Sequence, residues 1–171
     1  MIRRKLLITT AIIASGVITA CSDTTAPKND PGVLPVAAKR ATVVATINGG
    51  GTAEMQPPGL ATGRTTFGMG VKLLSDGSAT GHIDCVDQHG GNFPGNIFGE
   101  VTGWSMDGTV IVLNVDGKVV SFPGGHPEPV SFTVKIQQFG GAGVGRWTLE
   151  VGGTLFCVEL LTSGQIVIRW A

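Results

Sequence analysis

The sequence predicts an all-β domain: an antiparallel meander of about ten short strands that forms a β-sandwich or a small closed β-barrel. Three observations support this fold class. The 171 residues include 27 glycines and only 14% are charged, a composition typical of short strands joined by tight turns. Aspartate-glycine pairs separate apolar runs at 76–77, 107–108 and 116–117, which is a strong hairpin signal. No segment after Ala41 has a helical hydrophobic period.

The predicted strands follow one another along the chain with turn residues between them. The first, ATVVATIN, is rich in β-branched residues and is predicted to stop at Gly49–Gly51. Each aspartate-glycine pair is predicted to be a type I′ turn, in which both central residues need positive φ. The glycine-rich segment Phe139–Arg146 is predicted to be a hairpin loop. The strands span 41–48, 64–74, 78–87, 97–106, 109–115, 118–122, 130–139, 145–151, 154–161 and 165–170. The aromatic side chains expected to fill the core are Phe67, Trp104, Phe132 and Trp147.

Residues 1–20 are predicted to be a signal peptide that is not part of the fold. Three basic residues at 3–5 precede a short apolar run, Leu6–Val17, which is too short to span a membrane comfortably. The following Ile-Thr-Ala-Cys ends at Cys21 and resembles the lipobox of bacterial lipoproteins. This resemblance implies that the thiol of Cys21 receives a diacylglycerol and that the chain is cut before it. An ordinary secretory signal that contains a cysteine is the alternative.

The lipobox implies an exported protein that is anchored in the cell envelope, with the membrane as its partner. The residue after the cysteine is Ser22 rather than aspartate. This resembles the sorting pattern of Gram-negative lipoproteins that are sent to the outer membrane. Several acyl chains together give stable anchoring, because each buried CH₂ contributes about 0.8 kcal/mol. Removal of the signal peptide leaves nine basic and 12 acidic residues. With no basic face, the sequence argues against a nucleic-acid partner.

The mature chain is predicted to consist of a tether and one domain. Residues 21–40 begin with the lipidated cysteine and continue with three prolines and small polar residues that show no period. This composition is typical of a flexible linker, although an arm packed on the domain is the alternative. Residues 41–171 form the predicted all-β domain.

Four stretches of this domain resemble a widespread all-β module of secreted bacterial proteins. They are TINGGGTA, FGMGVKLLSDGSATGHIDCVDQHG, GEVTGW and FTVKIQQFGGAGVGRWTLEV. The resemblance covers most of Ala41–Trp170 and implies an all-β fold. It implies no catalytic residues, because none are established for the module.

The stretch GHIDCVDQHGG is the densest group of reactive side chains in the domain. Because residues on a strand alternate between its two faces, the two histidines and two aspartates within it cannot all point the same way. With the histidine of the GGHPEP loop, they could supply a two-histidine, one-carboxylate zinc site. No spacing matches a zinc or catalytic signature such as HExxH, so we interpret them as solvated strand residues. The alternative metal ligands are His82, Asp84, Asp87, His89 and His126.

The two cysteines that remain after lipidation, Cys85 and Cys157, are predicted to form a disulfide. Each lies in a predicted strand, and an exported protein with two thiols most simply pairs them. The bond would close a loop of about 70 residues, which corresponds to roughly 4 kcal/mol in the chain-entropy model. Two separate buried thiols are the alternative.

These observations predict a non-enzymatic structural or binding domain, with no cofactor and no catalytic residues. Its ligand would be an unidentified envelope protein or glycan. One alternative is a small metal-dependent envelope enzyme built on the histidines and aspartates named above. Another is a carbohydrate- or protein-binding module, which fold alone cannot select.

Overall fold

The structure, a computed structural model, describes residues 40–60, 62–87 and 94–171. In these segments every regular element is a β-strand, and none is a helix. No helix that could cross a membrane occurs in this part of the chain. The predicted signal peptide, Cys21 and the tether up to residue 39 lie outside the described residues, and so does His89. The strands are β1 (Val43–Gln56), β2 (Gly63–Leu74), β3 (Ala79–Asp87), β4 (Gly95–Asp107), β5 (Val110–Ser121), β6 (Glu128–Gln138), β7 (Gly140–Gly141), β8 (Arg146–Val151) and β9 (Thr154–Trp170).

The strands form one antiparallel sheet that closes on itself. Successive strands pair from β1 to β6, then β6 pairs with β8 and β8 with β9. Pairing of β9 with β1, from Ala45 opposite Trp170 to Gln56 opposite Val158, completes an eight-stranded barrel. The two-residue β7 adds to the edge of β9. The predicted all-β meander is therefore confirmed, and of the two predicted architectures the structure is the closed barrel.

Three predicted strand ends are wrong, because the chain continues through glycines. β1 runs through Gly49–Gly51, β5 runs through the aspartate-glycine pair at 116–117, and β9 runs through Gly164. Gly117 pairs with Gly99 of β4. A Cβ atom on Gly99 would lie 2.5 Å from the carbonyl oxygen of Asp116. At these glycines two backbones approach each other closely. Such an approach requires a residue without a side chain, but it does not require a turn.

The other two aspartate-glycine pairs are turns, as predicted, but of another kind. Gly77 and Gly108 have φ of 84° and 60°, and no non-glycine residue in the described segments has positive φ. A type I′ turn would require a second positive φ beside each glycine. Between β4 and β5, the pairing of Asp107 with Val110 leaves Gly108 as the first central residue, the position at which a type II′ turn needs positive φ.

Alternate residues of each strand point into the barrel and form one core. Three of the four aromatic residues predicted to fill it are buried: Phe67, Phe132 and Trp147. Trp104 is only half-buried and donates a hydrogen bond from Nε1 to the carbonyl oxygen of Leu74 at 2.8 Å. The rings of Phe67 and Trp147 lie 6.0 Å apart across the interior. The buried apolar residues form one core cluster, which includes Ala45 and Ile47 at the start of β1 as well as this aromatic pair.

Candidate functional site

A cavity of about 390 Å³ occupies one end of the barrel interior. It lies at the end of β1 and β3 and at the beginning of β4 and β9, beyond the Phe67–Trp147 pair. Most of its wall is apolar and is built from residues of seven strands. The lining residues are Met55, Cys85, Asp87, Pro94, Gly95, Asn96, Ile97, Val119, Ser121, Phe122, Val130, Leu149, Val151, Phe156, Cys157 and Glu159.

Two partly exposed phenylalanines stand at the mouth of the cavity. Phe122 is 43% exposed and Phe156 is 37% exposed, and both line the cavity. The deepest polar group is at the opposite limit of the cavity, where Glu159 has no exposed surface. The cavity therefore presents an apolar entrance and wall with an acidic group at its base.

Strand register places Glu159 inside the barrel. On β9 it lies on the same face as the buried Cys157 and Leu161. It pairs with Met55 of β1 and with Trp147 of β8. A carboxyl group in this position has lost its contact with water, and a buried carboxylate is stable only if hydrogen bonds or opposite charges replace that contact.

Three donors reach the two oxygens of Glu159. Thr65 donates its hydroxyl hydrogen to Oε2 at 2.7 Å. The thiols of Cys157 and Cys85 lie 3.5 Å and 3.9 Å from Oε1. No lysine, arginine or histidine is among the described lining residues. Burial raises the pKa of Glu159 from 4.5 to about 7, and the neighbouring carboxyl of Asp87 adds to the rise while the three hydrogen bonds oppose it.

The structure differs from the predicted disulfide, because Cys85 and Cys157 are both free thiols. Both side chains are buried, and each directs its sulfur to the carboxyl of Glu159. Burial, followed by the charge of Glu159, raises the pKa of each thiol well above its ordinary value.

The alternation predicted for GHIDCVDQHGG is confirmed, but one interpretation is wrong. Ile83, Cys85 and Asp87 point into the barrel, and His82 is on the outer face. Asp87 is only 6% exposed, so it is not a solvated strand residue as we expected. Asp87 faces the interior because every second residue of β3 must face the lumen of the barrel.

The four alternative metal ligands that the structure describes do not come together; His89 lies outside the described residues. His82 is exposed on the outer face and its Nδ1 lies 3.3 Å from Oε1 of Glu100, whereas Asp87 faces the interior. Asp84 is on the same outer face as His82, and His126 is exposed in the loop between β5 and β6. In the described segments no group of three or more His, Cys, Asp or Glu side chains could hold a metal ion.

Two residues at the base of the cavity, Glu159 and Thr65, were not among the predicted site residues. A signal for Glu159 was present, because strand alternation places it on the same face as Cys157 and Leu161 in TLFCVELL. Thr65 carried no such signal, since threonine is common on both faces of strands.

The chain matches no protein-family model, no curated protein and no solved structure. The functional interpretation therefore depends on the cavity. The cavity consists of an apolar wall, a buried acidic base and a mouth between two phenylalanines.

Proposed function

We propose that this protein is a lipid-anchored component of the cell envelope whose barrel binds one small, largely apolar molecule. The observation that supports this function is the cavity of about 390 Å³ at one end of the barrel. Its volume lies in the range of about 300–1,000 Å³ that is typical of small-molecule sites. Its composition, apolar walls with a few polar groups, is also typical of such sites.

The barrel size is consistent with this proposal. An eight-stranded barrel is just wide enough either to be filled by side chains or to hold one small ligand. Here side chains fill the interior up to Phe67 and Trp147, and beyond them the strands carry small inward-facing residues such as Gly95 and Val119. Protein interiors otherwise reach crystal-like packing density, so an open space of this size is a feature that a ligand would fill.

Binding is favoured over catalysis by the state of the reactive groups. The two thiols in the cavity have a raised pKa, which disfavours the thiolate that nucleophilic chemistry would use. The described histidines and aspartates of the alternative metal enzyme lie on opposite sides of the barrel wall or on an exposed loop. The exposed Phe122 and Phe156 favour an apolar ligand entering between them.

The test is titration of the full-length chain with the neutral fluorescent dye N-phenyl-1-naphthylamine. We expect saturable fluorescence enhancement with one site per chain. Val119→Trp, which places an indole in the cavity, should abolish it, and Val120→Trp on the opposite face of the same strand should not. Circular dichroism of both variants separates loss of the cavity from loss of the fold. Equal dye binding by the two variants would show that the dye does not occupy the barrel.

The anchor part of the proposal rests on the basic start, the apolar run and the Ile-Thr-Ala-Cys sequence before residue 22. Metabolic labelling with a fatty acid should mark the wild-type protein, and Cys21→Ala should remove both the label and the membrane attachment. A Ser22→Ala variant, altered at the adjacent residue, should still be labelled. Undiminished labelling of the Cys21→Ala protein would contradict lipidation at this residue.

A further inference from the structure

We propose that the ligand of the cavity is an apolar molecule that carries a basic amine, held with its ammonium group at Glu159 and Asp87 and its apolar part along the barrel wall. This inference rests on the proposed binding function and specifies the class of ligand. The charges of the lining residues, their depth and the polarity of the wall around them support it.

Among the described lining residues, the charged side chains are all acidic. Glu159 and Asp87 are these acids, with 0% and 6% of their surface exposed, and no lysine, arginine or histidine accompanies them among the described lining residues. A cationic group placed between them would meet two acceptors in a region of low dielectric constant, where hydrogen bonds between charged partners are strongest. A carboxylate or phosphate ligand would meet repulsion there instead.

Glu159 pairs with Trp147 at the filled end of the barrel, and the apolar side chains of Ile97, Val119, Val130 and Val151 line the same cavity. This arrangement favours a ligand with one polar end and an apolar body, because a polar body would lose its hydration against the apolar side chains without gaining hydrogen bonds. A primary alkylamine is the simplest molecule with this distribution of polarity.

The groups that face Glu159 allow it to be the ionised partner of an ammonium. β3 contributes Asp87 and Cys85, and β9 contributes Cys157. β2 contributes the uncharged Thr65, which donates to Oε2 and leaves Oε1 to the two thiols. Thiols are weak donors, so an ammonium could take their place at Oε1. Because burial raises the pKa of Glu159 to about 7, the carboxylate needed for this pairing is depleted in acid.

The experiment compares three ligands of equal chain length, octan-1-amine, octan-1-ol and octanoate, by calorimetric titration of the full-length chain carrying Cys21→Ala, which has no thiol to lipidate. At about pH 8 we expect the amine to bind at least ~10-fold more tightly than the alcohol, and the alcohol at least ~10-fold more tightly than octanoate. On acidification to about pH 5, the affinity for the amine should fall while that for the alcohol stays constant.

Two variants test the role of the carboxyl at the base. Glu159→Gln should reduce the affinity for the amine to that for the alcohol and leave the affinity for the alcohol unchanged. Glu100→Gln is the matched control, because Glu100 is on the outer face with 73% of its side chain exposed, and it should change neither affinity.

The outcomes separate this inference from the binding function on which it rests. Alcohol or octanoate binding as tightly as the amine would overturn the amine assignment and leave a small-molecule site. Absence of binding by all three ligands and by the neutral dye would overturn both. The comparison of the three ligands uses an unaltered cavity, so it decides the question even if Glu159→Gln fails to fold.

Discussion

Replacing Glu159 with glutamine should make the barrel more stable at neutral and alkaline pH and change little in acid. Glu159 is fully buried, and burial is the largest cause of the rise of its pKa from 4.5 to about 7. Glutamine has nearly the same shape and can still accept the hydrogen bond that Thr65 donates to Oε2 at 2.7 Å. The variant therefore removes the ionisation and keeps the packing.

The sign of the effect follows from proton binding in the two states. Between pH 4.5 and about 7, the folded protein keeps a proton on Glu159 that the unfolded chain has released. Stability therefore falls as pH rises through this window, and the loss is complete above the folded pKa. Each pH unit between the two pKa values corresponds to about 1.4 kcal/mol, so the wild-type protein should lose roughly 3 kcal/mol from this group.

Urea unfolding followed by tryptophan fluorescence at about pH 4, 5, 6, 7 and 8 measures this loss directly. The free energy of unfolding of Glu159→Gln minus that of the wild type should increase by roughly 3 kcal/mol from the lowest to the highest pH. Glu100→Gln, on the exposed outer face, should follow the wild type. A difference between Glu159→Gln and the wild type that stays constant across this range would refute the buried, perturbed carboxyl.

Two further predictions concern the glycines and the thiols. Gly164 has φ of 79°, and a Cβ atom there would lie 2.7 Å from Cα of Gly51, so Gly164→Ala should lower the free energy of unfolding by about 3 kcal/mol or more. Gly108→Ala, at φ of 60° with open space around it, should cost only about 1 kcal/mol, and equal losses would contradict the close approach of β1 and β9. Cys85 and Cys157, free and buried in the structure, should resist a thiol reagent in the folded protein and both react after unfolding without reductant. If neither reacts after unfolding, the two are joined by a disulfide after all.

The interior face of the barrel could be predicted wherever apolar and polar residues alternate. The alternation in β3 predicts that Ile83 and Cys85 face away from His82, and the structure agrees. The burial of Phe67, Phe132 and Trp147 was predictable because large apolar rings have few stable positions outside a core, although the fourth predicted ring, Trp104, is only half-buried. Such predictions need only the two-residue period of a strand.

The strand ends that were predicted at glycines from the local sequence were wrong at several positions. The triplet at 49–51 and the aspartate-glycine pair at 116–117 have the local sequence of turns, yet both lie inside long strands. A turn and a close approach of two backbones both require a residue without a side chain. Only the pairing partner distinguishes them, and for Gly117 that partner is Gly99, on another strand.

The sequence by itself determined the fold class and the direction in which most side chains face, because these depend on residues close together in the chain. Tertiary structure alone decided that the sheet closes, since closure depends on the pairing of β1 with β9, the two ends of the domain. Closure also creates the candidate site: it brings Glu159 of β9 to Thr65 of β2 and Cys85 of β3. Residues that are 94 and 74 positions apart in the chain meet there, and no local pattern encodes such a contact.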